Sequence, residues 1–592
     1  MKKIINKPES IVREMCHGIV LAHPELELIV QHKIIHRKAK NKNKVNLISG
    51  GGSGHEPAHA GFVGEGMLDA AVCGDVFASP SQIQVYNAIR EMATEQGVLL
   101  IVKNYSGDIM NFKNAAYMAQ EDGITVDYVK IDDDIAVQDS LYTVGRRGVA
   151  GTVLVHKIAG AAAEQGKCLA EVKKLAEKAI DNVKSIGFAL SSCTVPAKGT
   201  PTFVLEDEKI EYGVGIHGEP GIQRCNVMNA DELANKMVDS LCNELALNDS
   251  LENQRVAVLI NGFGATPLME LYLLNASVIR ELDAKGIAVT RTFVGNYMTS
   301  IDMAGASISI MKLDDELENL LNHPCKTPAI KIDGPCPVSN FYEPYAESKM
   351  KKNFSYELET PGEYAFIGQE ITLENMIYIV DLMSELIIKN EIPFCELDAH
   401  AGDGDFGMSV AKGFKELKRQ WASIIKRPNL DIGSFLNACS LVIMEYCGGA
   451  SGPIWGSAFR SAGRHVMGKQ EMTTKEFASM LQAAVKGIQS TGERSFGRGA
   501  VIGDKTLIDA LIPCADSWSN IAEKSDDFVE AFRLGAAAAV EGANKTEQIV
   551  ARMGRAGTVG ERSIGYPDAG AYALGVIFTE ISQTIRGKVD TE

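Results

Sequence analysis

The secondary-structure pattern of this chain changes once along its 592 residues. Up to about residue 335, short apolar runs alternate with amphipathic helical segments, whereas beyond about residue 371 nearly every apolar stripe has helical spacing. A chain of this length is expected to hold more than one domain. The pattern therefore predicts an α/β domain over residues 1–335, a linker over 336–370 and an all-helical domain over 371–592.

Short apolar runs bounded by glycines mark the strands of the first part, at residues 45–49, 69–74, 98–102, 125–131, 187–193 and 256–262. Runs that are apolar on both faces are typical of a mostly parallel sheet. Helical spacing appears over 82–93 and 230–245 between them. Asn229 is the predicted N-cap of the second of these helices, with Glu232 at the capping-box position.

The second part reads as a series of helices. The segment 326–370 carries five prolines and no long periodic run, which is typical of an interdomain linker. Eight helical segments follow, at residues 374–389, 407–420, 432–447, 455–467, 475–488, 506–515, 527–541 and 571–585. They predict an all-α fold for this domain.

Composition excludes several function classes. Acidic residues outnumber basic ones by 76 to 59, a net charge of −17 that argues against binding to nucleic acid. No apolar run reaches the ~18 residues of a membrane-spanning helix, and residues 1–10 lack the apolar core of a signal peptide. The 12 cysteines include no C-x-x-C pair, which argues against a zinc ribbon or a disulfide framework. We expect a cytoplasmic protein with free thiols and no membrane partner.

A glycine-rich turn at 48–64 follows the first predicted strand. Its free backbone N–H groups can converge on an anion or a polar substrate. It is neither a Walker A loop nor a complete G-x-G-x-x-G motif. The sequence from His55 to His59 matches H-E-x-x-H, but Pro57 disfavours the helix that a zinc site of this type needs. A tight turn without chemistry remains the alternative.

His217 lies among glycines in the segment 211–221. Small neighbours on both sides would expose its imidazole to a ligand. An exposed neutral imidazole can act as a base, a metal ligand or a nucleophile toward a carbonyl. The residues alone do not choose among these roles, nor do they exclude a purely structural histidine.

Three aspartates open the helical domain, Asp398, Asp403 and Asp405, with glycines between them. Carboxylates this close repel one another unless a cation neutralises them, and magnesium with oxygen ligands fits. The spacing is not that of an EF-hand, because its twelfth position would be Phe414. A solvated acidic turn is the alternative. The run Asp132–Asp134, by contrast, is predicted to be a solvated turn.

A second glycine cluster, at 447–459, joins two predicted helices. Ser451 and its flanking glycines could hold phosphates at the N-terminus of a helix that begins near Ile454, where the helix dipole favours anions. Together with the aspartates, this turn suggests nucleotide binding without a Walker fold. The α/β domain would then hold the phosphate acceptor.

These motifs resemble those of the dihydroxyacetone kinases, in their single-chain, ATP-dependent form. The segments similar to the substrate-binding K domain are ISGGGSGHEPAHAGF, CGDVFASPS, IVKNYSGDIMNF and GVGIHGEPG. Those similar to the nucleotide-binding L domain are DAHAGDGDFG, GGASG, GDKTLIDAL and GRAGTVGERSIGYPDAGA. The resemblance implies a K domain of two subdomains with mostly parallel sheets, an L domain built as an antiparallel eight-helix barrel, and a homodimer.

The resemblance also implies roles in the K domain. His217 would form a covalent hemiaminal with the ketone carbonyl of the substrate, which glycerol cannot do. His55 would hydrogen-bond the bound substrate, and Asp108 would be the general base on the attacking hydroxyl. Three further positions match substrate contacts: Gly52, Ser79 and Lys103.

In the L domain, the resemblance assigns Asp398, Asp403 and Asp405 to two magnesium ions that bridge the phosphates of ATP. Six positions match the phosphate turn and the surroundings of the nucleotide: Gly449, Ala450, Ser451, Thr506, Leu507 and Asp568. The chain departs from the family at Ala450, where serine is common, and at Leu507, where methionine is frequent. Ala569 also replaces the usual proline.

The expected activity is transfer of the γ-phosphate of MgATP to a hydroxyl of dihydroxyacetone. Four alternatives remain open from the sequence: a kinase of erythrulose or glyceraldehyde, an enzyme that takes phosphate from a phosphoprotein of the phosphotransferase system, a non-catalytic regulatory paralogue, and an FMN-cyclase side activity.

Overall fold

The computed structural model describes residues 2–137, 145–219, 221–247, 254–338, 358, 360–554, 557 and 560–587. The chain divides into two compact units, Met1–Ala346 and Glu347–Glu592, which we call the α/β unit and the helical unit. Most of the linker predicted over 336–370 lies outside the described residues. So do four residues of the GRAGTVGERSIGYPDAGA motif and Pro220 of the GVGIHGEPG motif.

The first sheet of the α/β unit has six strands in the order β1-β2-β4-β3-β5-β6. They are β1 (Leu26–Ile29), β2 (Ile34–Arg37), β3 (Asn46–Ser53), β4 (Ala70–Val76), β5 (Val98–Lys103) and β6 (Val126–Ile131). Strands β4, β3, β5 and β6 are parallel, while β1 and β2 are antiparallel additions at one edge. Parallel strands end at a common edge, so the loops that follow β3, β4 and β5 meet there.

The second sheet has the order β11-β10-β12-β7-β8-β9. Its strands are β7 (Val183–Ala189), β8 (Lys209–Tyr212), β9 (Gln223–Asn226), β10 (Arg255–Gly262), β11 (Ala288–Gly295) and β12 (Gly305–Leu313). Only β10 and β11 pair in parallel, and the other neighbours are antiparallel. The prediction of mostly parallel sheets is therefore wrong for this sheet. Strands β10 and β12 are buried along almost their whole length. A strand buried on both faces is apolar whether its neighbours are parallel or antiparallel, so its composition does not reveal its direction.

The described part of this unit contains eight helices, which cover the two sheets: α1 (Ile11–Ala22), α2 (Gln82–Met92), α3 (Ser106–Glu121), α4 (Thr152–Glu164), α5 (Leu169–Asn182), α6 (Ala230–Glu244), α7 (Leu268–Ala284) and α8 (Asp315–Asn322). A short ladder, β13 (Cys325–Lys326) and β14 (Lys331–Ile332), ends the described part of the unit. Helix α4 is buried from Thr152 to Ala163, within a core to which both sheets contribute. The capping box of Asn229 and Glu232 at α6 is confirmed.

The aspartates that follow β6 are not a solvated turn, which corrects the sequence interpretation. Asp133 and Asp134 are buried. The Asp133 carboxylate accepts hydrogen bonds from the N–H groups of Val149 and Gly151, both at 2.8 Å, and from the Ser185 hydroxyl. These bonds join the end of the first sheet to the start of α4 and to β7. A buried carboxylate needs such donors, and the sequence pattern does not show them.

The helical unit contains nine described helices: α9 (Leu373–Lys389), α10 (Glu391–Asp398), α11 (Phe406–Ile425), α12 (Ile432–Tyr446), α13 (Ser451–His465), α14 (Thr474–Phe496), α15 (Ile508–Ala522), α16 (Phe528–Lys545) and α17 (Ala569–Thr584). Eight of them close into a ring, because each helix from α11 to α17 packs against the next and α9 packs against both α11 and α17. Two short strand pairs accompany the ring: β15 (Phe366–Ile367) with β18 (Arg586–Gly587), and β16 (Ile371–Thr372) with β17 (Glu471–Met472).

The eight predicted helices correspond to the ring, and α10 was missed because it is short and contains Pro393. The ring encloses an apolar interior with a cavity of about 120 Å³. All 12 cysteines are free thiols, as predicted. Across the described ranges, no helix has the length and the apolar character needed to cross a bilayer.

Candidate active site

The glycine-rich turn at the end of β3 packs directly against the loop that follows β4. A Cβ atom placed on Gly52 would lie 2.7 Å from the backbone nitrogen of Ala78 and 2.8 Å from the carbonyl carbon of Phe77. Gly54 has a φ of +105°, a conformation that favours glycine. The turn thus brings the backbone of 52–54 and the loop of Ser79 to one edge of the sheet.

His55 is fixed in one tautomer by its neighbours. Its Nδ1 lies 2.8 Å from the carbonyl oxygen of Thr299, which only accepts, so this nitrogen carries the proton. Its Nε2 then accepts, and it lies 3.2 Å from Nε2 of His217. The Phe77 ring stacks on His55 with centroids 5.1 Å apart. The two histidines therefore form a neutral, hydrogen-bonded pair.

His217 lies in the loop between β8 and β9, in contact with three rings. The His55 ring is 4.7 Å away, the Tyr105 ring 4.5 Å and the Phe77 ring 5.2 Å, all edge to face. Its Nδ1 is buried and has no hydrogen-bond partner within the described chain. The imidazole is thus held in an aromatic cage and is only half-buried, instead of standing free among glycines as the sequence suggested.

Lys103 and Asp108 flank the same turn. Both are buried, and a Cβ atom on Gly51 would lie 3.2 Å from Lys103 Nζ and 3.4 Å from Asp108 Oδ2. In the described residues, Lys103 Nζ, Asp108 Oδ1 and the Tyr105 hydroxyl have no hydrogen-bond partner. Asp108 lies in the first turn of α3, and Ser79 donates a hydrogen bond to its carboxylate.

Burial dominates the electrostatics of this cluster. It lowers the pKa of His217 and of His55 well below the ordinary value, and the Lys103 charge lowers both further. Burial raises the pKa of Asp108, against the effects of Lys103 and Ser79. Burial lowers the pKa of Lys103, against the attraction of Asp108. His217 is therefore neutral at pH 7, the state in which an imidazole can act as a base, a metal ligand or a nucleophile.

The two histidines of the H-E-x-x-H pattern do not face each other. Residues 55–59 form a turn, and His59 lies in the core with its Nδ1 3.0 Å from Nε2 of His156. Sequence reasoning missed Phe77 and Tyr105, although both lie within motifs that the resemblance identified. It also missed Arg147, which is buried and which no motif marks.

In the helical unit, the three aspartates come together around the loop between α10 and α11. Asp398, Asp403 and Asp405 each offer one carboxylate oxygen, and these oxygens lie within 4.8 Å of one another. Asp398 Oδ2 also accepts hydrogen bonds from the N–H groups of Gly404 at 3.0 Å, Asp405 at 3.2 Å and Phe406 at 3.3 Å. Three carboxylates with hard oxygen donors fit a magnesium ion.

All nine residues assigned to metal and nucleotide line one pocket of about 200 Å³. They are Asp398, Asp403, Asp405, Gly449, Ala450, Ser451, Thr506, Leu507 and Asp568. Helix α13 begins at Ser451, earlier than the predicted Ile454. Pro453 falls in its first turn, where a missing N–H leaves no intrahelical bond unmade. The N-terminus of α13 therefore lies at the pocket, a position that favours anions.

Lys505, which lines this pocket, and the nearby Asp509 were not singled out by the sequence analysis. Lys505 is buried and its ammonium donates to the carbonyl oxygens of Thr546 and Tyr566, both at 2.8 Å. Asp509 accepts from the N–H groups of Gly503 at 2.6 Å and Thr506 at 2.8 Å.

Asp568 caps α17 through the N–H of Ala571, at 2.8 Å. Burial raises its pKa to about 7, and the charges of Asp509 and Asp398 raise it too. Carboxylates and the N-terminus of α13 therefore line the same pocket, as expected of a site that takes a cation together with an anion.

Comparison with known proteins extends these observations. A Dak1 domain matches residues 17–329 and a DAK2 domain matches residues 400–583. The dihydroxyacetone-binding subunit of a PTS-dependent dihydroxyacetone kinase from Listeria innocua is 53% identical over 317 residues, 53% of this chain and 95% of that subunit. The L-erythrulose kinase of Pectobacterium atrosepticum is 33% identical over 99% of this chain and 97% of its own length.

A solved structure also matches over both units. The crystal structure of the dihydroxyacetone kinase from C. freundii, in complex with AMP-PNP and Mg2+, aligns with a TM-score of 0.61 and 31% identity. The alignment covers 98% of this chain and 99% of that one. The chain therefore belongs to the dihydroxyacetone kinase family of kinases, with a Dak1 domain and a DAK2 domain in a single polypeptide.

Proposed function

We propose that this protein transfers the γ-phosphate of MgATP to a hydroxyl of dihydroxyacetone, giving dihydroxyacetone phosphate. One observation carries the acceptor side of the proposal. Four buried polar atoms around His217 lack partners within the described residues: His217 Nδ1, the Tyr105 hydroxyl, Lys103 Nζ and Asp108 Oδ1. Buried polar atoms left unpaired are costly, and a small ketose with a hydroxyl on each side of its carbonyl would satisfy them.

His217 captures the carbonyl in this proposal. An unprotonated ring nitrogen attacks the ketone carbon, the electron pair of the C=O bond moves to oxygen, and the oxygen takes the proton that the imidazolium releases. The product is a neutral hemiaminal. The low pKa of His217 keeps its ring neutral, so one of its nitrogens has a free electron pair for the attack. The low pKa of His55 keeps that ring neutral as well, so its Nε2 can accept a hydrogen bond from a substrate hydroxyl. Glycerol has no carbonyl and is excluded.

Asp108 removes the proton of the attacking hydroxyl. Its carboxylate lies beside Lys103 and accepts a hydrogen bond from the Ser79 hydroxyl. Both neighbours stabilise the charged carboxylate and oppose the rise in pKa that burial causes. Gly52, Ser79 and Lys103 complete the substrate contacts. Gly52 brings its backbone close because no side chain fits there.

The helical unit holds the phosphate donor. The N-terminus of α13, with Gly449, Ala450 and Ser451, takes the phosphates, while Thr506, Leu507 and Asp568 contact the nucleotide. Asp398, Asp403 and Asp405 would hold two magnesium ions. Bound magnesium neutralises phosphate charge and orients the terminal phosphate.

Erythrulose is the second candidate acceptor, because a full-length relative is an L-erythrulose kinase. One additional hydroxymethyl group is a small discrimination for a pocket, so few contacts would decide it. The homodimer, the cytoplasmic location and the domain bounds 1–335, 336–370 and 371–592 stay predictions.

A coupled assay of ADP release tests the proposal. It compares dihydroxyacetone, erythrulose, glyceraldehyde and glycerol, in the wild type, in His217→Ala and in the surface variant His17→Ala as a control. We expect turnover of dihydroxyacetone that is lost only in His217→Ala, and none of glycerol. Faster turnover of erythrulose would move the substrate to the second candidate. Absence of ATP-dependent turnover with every ketose would refute the kinase.

A further inference from the structure

The Arg147 side chain lies at the centre of a buried network beneath the His217 loop. It is 1% exposed, and each of its guanidinium nitrogens has a protein acceptor. Nε donates to Asp134 Oδ2 at 2.7 Å, Nη1 to Glu219 Oε1 at 3.2 Å and Nη2 to the carbonyl oxygen of Gly213 at 2.8 Å. Every guanidinium nitrogen therefore bonds to the protein, and three of the five N–H donors are engaged in these bonds.

Glu219 connects Arg147 to His217. Its second oxygen, Oε2, accepts a hydrogen bond from the backbone N–H of His217 at 2.8 Å. Arg147 thus holds the loop at two points, directly at Gly213 and through Glu219 at His217. Because one of these hydrogen bonds is made by the backbone N–H of His217 itself, the network fixes the position of the His217 backbone and therefore of its imidazole.

The glycines of this loop are explained by the same network. A Cβ atom on Gly215 would lie 2.0 Å from Glu219 Oε1 and 2.7 Å from Arg147 Nη1, so no side chain fits between the ion pair and the loop. Gly218 has a φ of +65°, which favours glycine at that turn. The sequence suggested that these glycines expose His217, whereas the structure shows that they let the loop close onto Arg147.

Asp134 connects the network to the other sheet. It follows β6 of the first sheet, and its second oxygen accepts from the N–H of Ala136 at 2.8 Å. The loop of His217 belongs to the second sheet. Arg147 therefore ties the nucleophile, carried by one sheet, to the sheet edge that carries Lys103 and Asp108.

We propose that Arg147 and Glu219 are positioning residues that hold His217 for attack on the substrate carbonyl. The attack on a carbonyl rests on the proposed function, whereas the anchorage of the His217 loop rests on the hydrogen bonds alone. A displacement of about 1 Å at a reacting group can cost about 100-fold in rate. We expect this loss to fall on kcat/KM for the ketose, with nucleotide binding unchanged.

Three variants separate positioning from charge. Arg147→Lys keeps the charge but cannot reach three acceptors, Glu219→Gln breaks the ion pair, and Gly215→Ala displaces the pair without changing any charge. Each should lower kcat/KM for dihydroxyacetone by about 10-fold to 100-fold. Arg146→Met is the matched control, since the neighbouring arginine forms a surface ion pair with Glu244.

Two readouts distinguish this role from simple damage to the fold. Binding of MgATP to the full chain should equal that of the wild type, because the helical unit is not altered. The imidazole pKa of His217, followed by NMR in histidine-labelled protein, should rise in Arg147→Met, because the Arg147 charge helps to lower it, and it should not change in Arg146→Met.

The outcomes are decisive in both directions. Folded Arg147→Lys and Gly215→Ala enzymes whose kcat/KM stays within twofold of the wild type would overturn the positioning role. A wild type without ketose turnover would refute the proposed function instead. The anchorage would then be tested by the NMR signals of the His217 ring in Gly215→Ala, which displaces the pair without changing a charge. Unchanged ring signals would overturn it.

Discussion

Replacement of Lys103 by methionine tests the electrostatics of the proposed ketose site. The Lys103 ammonium is completely buried and has no hydrogen-bond partner in the described part of the chain. A methionine removes the desolvation cost of the buried ammonium, but it also removes the positive charge that attracts Asp108. Because Asp108 can take up a proton when that charge is lost, we expect Lys103→Met to fold with a stability close to that of the wild type.

The magnitude follows from the neighbours of the ammonium. Lys103 Nζ and Asp108 Oδ2 lie beside the same point, 3.2 Å and 3.4 Å from a Cβ on Gly51. At about 5 Å and an effective dielectric constant of about 20, their attraction is worth about 3 kcal/mol. The same charge lowers the pKa of His55 and His217.

The direction of the pH effect is the same for all these groups. The lysine charge lowers the pKa of Asp108, so removal of that charge raises the pKa and the proposed base becomes protonated at a higher pH. Removal of the charge also raises the pKa of His217, so the proposed nucleophile becomes protonated at a higher pH. The acid limb of kcat/KM should therefore move to higher pH in Lys103→Met.

Steady-state kinetics with dihydroxyacetone between pH 5 and pH 9 measure this shift. Lys113→Met is the matched control, because that lysine lies on the exposed face of α3 over the Tyr128 ring. Thermal unfolding of each variant completes the experiment. An acid limb that stays in place in Lys103→Met, or a large fall in its Tm, would refute the reasoning.

Three further predictions concern packing, metal and stability. Gly52→Ala should lower kcat/KM for the ketose by about tenfold or more, because its Cβ would collide with backbone; kinetics and Tm check this. Asp403→Asn should weaken the magnesium dependence of ATP binding without affecting the fold, as measured by calorimetry at several magnesium concentrations. Lys418→Met should cost about 3–5 kcal/mol, because it leaves the Asp381 carboxylate buried without this charge partner. Lys545→Met, at an exposed pair with Glu541, should cost less than about 1 kcal/mol in the same denaturant titration.

The fold was predictable where apolar patterning decides it. Apolar patterns in the sequence predicted strands β3 to β7, strand β10 and all the ring helices. Such patterns indicate which residues are buried. Strand direction was not predictable, because β12 lies antiparallel between β10 and β7 with the same apolar character that a parallel strand has. Direction depends on which distant strand is the neighbour.

The candidate site shows the same division. Residues that form local motifs could be named in advance, and the helical unit gathers all nine of them at one pocket. Arg147 and Asp134 could not be named, because their roles depend on contacts that no local motif shows. Arg147 pairs with Asp134, 13 residues away in the sequence, and with Glu219, 72 residues away. A run of aspartates looks solvated until its donors are known, and Asp133 and Asp134 are buried because those donors come from other elements.

The closed ring of the helical unit has a consequence for synthesis. Its first helix, α9, packs against its last, α17, so the ring cannot close until the ribosome has made almost the whole unit. At about 5–20 residues per second, roughly 10–40 s pass between the emergence of these two helices. During that interval the apolar lining of the ring faces water or a chaperone. The α/β unit, made earlier, can fold before that interval begins.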